Sequence, residues 1–185
     1  AVLLILSVTY VISTDFKIFV NGESSKQDQF LERYHAMKID PDGLFGKCNL
    51  VSAGSDIDED SLAECLPGFD KSVFVWGDSQ AASLVPGLRK TVEPLGFRVS
   101  QLTTAGCPVS LHEIKSTDPR ALACNQSNHL ALAQIALKKP SVVLISQRFG
   151  FRDDDYLAVA KYVSQYSDHV VMVGPFPEWS PSLPL

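Results

Sequence analysis

The chain has few of the sequence signals that would point to nucleic acid, metal or thiol redox chemistry. It is acidic, with a formal net charge of −5 and a pI near 5.3. The absence of any Lys/Arg cluster argues against a nucleic-acid footprint. No Cys-x-x-Cys pair occurs, so neither a zinc ribbon nor a thioredoxin-like site is expected, and there is no internal repeat or low-complexity segment. The apolar run from Val2 to Ile12, broken only by Ser7 and Thr9, is shorter than the ~20 residues a spanning helix requires. With no initiator Met and no basic stretch before it, it fits a secretory signal poorly. It reads as the end of a spanning helix, with a polar juxtamembrane stretch from Asp15; a buried strand or helix of the globular domain is the alternative.

What is present is one domain's worth of chain: 185 residues, 45% of them hydrophobic, enough for an ordinary core. The acidic stretch Asp56 to Asp60 reads as a solvated loop. Four cysteines form two pairs of equal spacing, Cys48 with Cys65 and Cys107 with Cys124. Of the three possible connectivities, the sequential one closes two short loops, each stabilising by ~3 kcal/mol on the chain-entropy model. It would place the domain in an oxidising compartment, whereas free buried cysteines would suit a cytosolic protein.

The pattern changes along the chain. Residues 15–70 carry mixed charge without a sustained period, apart from a short helical stretch at Lys26 to Met37, and read as a linker followed by a disulfide-pinned lead-in. From Lys71, β-branched runs at Val73–Trp76, Phe97–Leu102, Val142–Ser146 and Val170–Val173 alternate with helical stretches at Ala81–Leu95, Ala121–Leu137 and Tyr156–Tyr166. Strand and helix repeated in this way predict an α/β fold, a three-layer α/β/α sandwich with a parallel, flavodoxin-like sheet. The continuous apolar runs at Val142 and Val170 are those of strands covered on both faces. Ligands of such sheets bind beyond the carboxyl ends of the strands, where Gly77-Asp78-Ser79, Thr103 to Gly106, Gln147-Arg148 and Gly174-Pro175 fall. The domain is expected over residues 71–185, after a membrane segment at 1–14 and the linker and lead-in at 15–70.

Within this pattern, Ser79 stands at a strand-to-helix turn. Such a turn projects its hydroxyl outward, and the first N–H groups of the following helix can stabilise an oxyanion. Gly77 and Asp78 form the supporting turn. A helix N-cap is the competing reading, with Asp78 or Ser79 accepting hydrogen bonds from free helix N–H groups.

The segment Trp76-Gly-Asp-Ser-Gln-Ala-Ala-Ser-Leu-Val-Pro-Gly-Leu88 resembles the nucleophile block of SGNH hydrolases. More narrowly, it is similar to the extracytoplasmic SGNH domain fused to the membrane acyltransferase-3 domain of bacterial polysaccharide O-acetyltransferases. Thr103-Thr-Ala-Gly-Cys-Pro108, Cys124-Asn-Gln-Ser-Asn128 and the strand Val142 to Phe149 carry the likeness further, as do Cys48 and Cys65. By this resemblance Ser79 is the acyl-accepting nucleophile, its N–H and that of Gly106 are oxyanion donors, and Asn128 is a further amide donor. Arg148 is either a substrate contact or a structural ion-pair partner. Gln147-Arg148 stand where the family ordinarily has Gly-x-Asn-Asp, and Gln80 where this subfamily commonly has His.

The resemblance also implies a base in an Asp-x-x-His block, whose imidazole takes the serine proton while the carboxylate orients it. None of His35, His112, His129 and His169 lies in such a block, so the base is expected beyond Leu185 and the 185-residue chain is expected to be inactive or unstable alone. The function implied is transfer of acetyl groups to hydroxyls of a cell-surface polysaccharide. It requires no metal and no bound cofactor, since a membrane domain in the same polypeptide supplies acetyl groups ultimately from acetyl-CoA. The expected location is the bacterial cytoplasmic membrane with this domain on the periplasmic side. An acetylesterase using the same serine and a non-catalytic carbohydrate-binding module are the alternatives.

Overall fold

The computed structural model describes residues 47–50, 59–68, 71–148 and 154–174. The membrane segment at 1–14, the helix at Lys26 to Met37, the acidic stretch as far as Asp58 and the proline-rich stretch from Pro175 lie outside the described residues; Glu59 and Asp60, expected to end an acidic loop, instead open a helix. Among the described residues five parallel strands form one sheet: β1 (Asn49–Leu50), β2 (Ser72–Gly77), β3 (Arg98–Thr104), β4 (Val142–Ser146) and β5 (His169–Val173), in the order β1-β3-β2-β4-β5. The helices are α1 (Glu59–Cys65), α2 (Ser79–Val92), α3 (Pro119–Lys138) and α4 (Asp154–Val163).

The strand order decides which face each helix covers. The steps β1 to β2, β3 to β4 and β4 to β5 all run the same way along the sheet, whereas β2 to β3 runs back. Right-handed crossovers therefore place α1, α3 and α4 on one face and α2 on the other. The packing agrees with this. Phe74 and Trp76 of β2 pack in one cluster with Cys65, Ala131, Ile135, Val159 and Val163. Val73 and Val75, pointing the opposite way as strand alternation requires, pack with Ala81 and Val85 of α2. In α3 the buried Ala121, Cys124, Asn128, Ala131 and Ile135 recur every three or four residues, the spacing of an inward helical stripe.

Two further expectations require correction. Among the described residues Val170–Val173 is not covered on both faces: β5 stands at the edge of the sheet they form, and Val171 is 43% exposed. Its side chain shares a face with Leu144 in register, the face on which α2 is the packed helix. Secondly, the lead-in is part of the sheet. β1 pairs with β3 through Asn49↔Thr103 and Leu50↔Thr104, so the sheet begins before the change of pattern at Lys71. A two-residue strand has too little periodicity to be seen in sequence. It is held by backbone bonds from Thr103 N to Cys48 O (3.0 Å) and Ala105 N to Leu50 O (2.9 Å), and by the bridge from Cys48 to Cys65 at the end of α1.

No helix among the described residues is long and apolar enough to cross a membrane.

Candidate active site

From β2 the chain steps to β3 on one side and later returns past it to β4 on the other, with α2 and α4 on opposite faces. The carboxyl ends of β2 and β4 thus flank the switch point at which open α/β sheets hold their ligands. Gly77 ends β2 in register with both Thr103 and Ser146. Its φ of +148° and its closeness to the neighbouring strand both require glycine, because a Cβ there would lie 1.8 Å from the Ser146 carbonyl oxygen.

Asp78, 4% exposed, is the N-cap of α2. One carboxylate oxygen accepts the Gln80 N–H at 2.8 Å, and the other accepts the Arg148 N–H at 2.7 Å. One side chain thus caps the helix and ties the end of β2 to the end of β4. This resolves the capping alternative: Asp78 takes the cap, and Ser79 is left exposed at the first helical position. Among the described residues no group hydrogen-bonds to the Ser79 hydroxyl, and its backbone N–H has no backbone acceptor. Tyr156, on α4, lies beneath this turn with its hydroxyl 3.4 Å from the Ile145 carbonyl. Burial pushes its pKa up to about 12, and the Asp78 carboxylate adds to the rise.

Gly106 follows β3, the other neighbour of β2. It is exposed with φ of +72°, in a turn closed by the Cys107 N–H on the Thr104 carbonyl at 3.0 Å. Its own N–H has no backbone acceptor among the described residues. The next residue, Cys107, is bonded to Cys124 of α3, so both disulfides join the cysteines sequentially.

Asn128 is 4% exposed and already engaged. Its Oδ1 accepts the Trp76 indole N–H at 3.2 Å, and its Nδ2 donates to the Pro108 carbonyl at 3.0 Å. Arg148 presents an exposed side chain at the end of β4, while its backbone N–H serves Asp78. Gln147, which the sequence marked as a strand-end residue and a departure from the family pattern, is 1% exposed and accepts the Val109 N–H at 2.8 Å. Its position directly after an apolar strand was the available signal.

The described histidines do not meet Ser79. His169 opens β5 at the amino end of the sheet, paired with Val142. His129 lies 3.6 Å from Glu113 in an exposed pair, and His112 is exposed in the loop after β3. His35 lies outside the described residues, and among the described ones no group of acidic, His or Cys side chains could hold a metal ion.

The parallel α/β sheet thus carries an exposed serine at its switch point, at the start of a helix capped by Asp78. The chain belongs to the family of SGNH domains fused to AT3 domains, whose model matches residues 47–184. The structure is similar to that of the lipopolysaccharide acetyltransferase periplasmic domain from Salmonella ser. Paratyphi A, with a TM-score of 0.55 and 23% identity over 74% of this chain. The chain spans 55% of that domain's length, and at this identity the likeness speaks for the fold. No curated protein sequence gives a significant match.

Proposed function

We propose that this domain transfers acetyl groups to hydroxyls of a cell-surface polysaccharide, with Ser79 as the nucleophile. The observation that carries the reading is the exposed Ser79 at the start of α2, its cap supplied by Asp78 and its N–H open. In the proposed reaction the Ser79 Oγ attacks the acetyl carbonyl and its proton passes to a base, an imidazole–carboxylate pair by family resemblance; the bond from the carbonyl carbon to the acetyl donor then breaks, and the base gives its proton to the departing donor group. The N–H groups of Ser79 and Gly106 stabilise the oxyanion. A sugar hydroxyl then attacks the acetyl-serine and gives its proton to the same base; the bond between the acetyl carbon and Ser79 Oγ breaks, and the base returns the proton to Oγ, which regenerates the serine.

The family's fusion to AT3 domains supports a membrane partner in the same polypeptide that delivers acetyl groups, ultimately from acetyl-CoA. The lipopolysaccharide acetyltransferase neighbour supports a polysaccharide acceptor, and two disulfides suit an extracytoplasmic, oxidising location. Arg148, whose side chain is exposed after β4, is a candidate for substrate contact or for a structural ion pair.

The test is acetylation by the complete protein, supplied with a soluble acetyl ester and candidate glycans. Acetylated glycan is expected from the wild type, with a loss of at least about a thousandfold in Ser79→Ala. Release of acetate without acetylated glycan would make the domain an esterase; full activity in Ser79→Ala would remove the serine from the mechanism.

A further inference from the structure

The loop from Ala105 to Asp118 is long for a connection inside a compact domain, yet its first part is fixed on several sides. The Cys107–Cys124 bridge joins it to α3. At the next two residues, two buried carboxamides from different elements hold successive backbone groups: Asn128 Nδ2 donates to the Pro108 carbonyl, and Gln147 Oε1 accepts the Val109 N–H. Asn128 also accepts the Trp76 indole N–H from β2, the strand that carries the serine turn. Gln147 adjoins Arg148, whose N–H binds Asp78. The loop bearing Gly106 is therefore referenced to the serine turn along two routes, one through α3 and one through β4.

We propose that Asn128 and Gln147 are positioning residues for acyl transfer, a pair of amide clamps that hold the Gly106 turn at a fixed height beside Ser79. The inference rests on the serine reading above. It assigns Asn128 a role different from that of oxyanion donor, since its oxygen and one of its two N–H groups are already committed to protein partners. A misplacement of about 1 Å at an oxyanion donor is enough to cost up to ~100-fold in rate, so loosening a clamp should lower kcat and leave KM nearly unchanged.

The experiment uses the complete protein, hydrolysing p-nitrophenyl acetate at a temperature where every variant is folded. Gln147→Met keeps the volume and removes the acceptor; Gln147→Glu keeps an oxygen acceptor. The expected result is a kcat about tenfold lower or more in Gln147→Met with KM within about twofold, and recovery to within about threefold of wild type in Gln147→Glu. Asn128→Asp, which keeps the acceptor for Trp76 but loses the donor to Pro108, should resemble Gln147→Met. Val163→Ala, a buried change in α4, serves as the control that lowers the melting temperature without changing kcat. Wild-type kcat in both Gln147→Met and Asn128→Asp would overturn the proposal. So would a Gln147→Glu variant as impaired as Gln147→Met, because the amide N–H rather than the clamp would then matter. Ser79→Ala separates the two levels: an inactive Ser79→Ala with unaffected clamp variants sinks only this inference, whereas an active one sinks the serine reading itself.

Discussion

The Cys48–Cys65 and Cys107–Cys124 bridges each join residues 17 apart, so chain entropy alone makes them equivalent. Their surroundings make them different. The first joins the two-residue edge strand β1 to α1, where the partners are core side chains such as Leu66 and Leu102. The second fastens the residue after Gly106 to α3 one turn before Asn128, within the network that reaches Trp76 and Val109. Equal loops thus secure unequal things, a short strand in one case and the turn that bears Gly106 in the other.

The comparison can be sharpened from its most damaging end. Gly77→Ala marks the upper limit, because the new Cβ would meet the Ser146 carbonyl and force β2 and β4 apart at the site. A loss exceeding about 4 kcal/mol is expected in chemical denaturation, or failure to obtain soluble protein. Unchanged stability would show that these strand ends separate freely. Next, removing the second bridge with Cys107→Ala and Cys124→Ala should cost ~3 kcal/mol and, in folded protein, about tenfold in kcat through the Gly106 turn. Removing the first with Cys48→Ala and Cys65→Ala should cost about the same stability, ~3 kcal/mol, with kcat within about twofold. Matching kcat losses in the two double variants would erase the distinction.

The smallest effect concerns Tyr156. With a folded pKa pushed up to about 12 against about 10 when unfolded, the unfolded chain loses this proton first. Stability should therefore be unaffected by Tyr156 below about pH 10 and decline as pH rises toward 12, by at most ~1.4 kcal/mol per pH unit. Tyr156→Phe should flatten that part of the profile in denaturant titrations. Identical slopes in both proteins would mean that the phenol titrates normally.

Much of the fold was legible because its signals are local. The run Val142–Ser146 coincides with β4, and the other runs differ from their strands only at the ends. The serine turn was legible for the same reason: an apolar run, Gly-Asp-Ser, then a helix. β1 was not, since two residues acquire meaning only by pairing with Thr103 and Thr104. The exposure of Val171 was hidden as well, because an apolar run looks alike at a sheet's centre and at its edge.

The sequence by itself determined the elements from Lys71 onward, the spacing of the cysteines and the serine at the end of a strand, because periodicity and turn chemistry act over a few residues. Tertiary structure alone decided that Asp78 caps α2 and leaves Ser79 exposed, and that Gly77 is obligatory. It also decided that Asn128 and Gln147 face the Gly106 loop. Each of these depends on a partner distant in sequence: Arg148 for Asp78, Ser146 for Gly77, Trp76 and Pro108 for Asn128, and Val109 for Gln147. Hydrogen bonds and steric limits act over a few ångströms, and only the folded sheet brings these residues within that range.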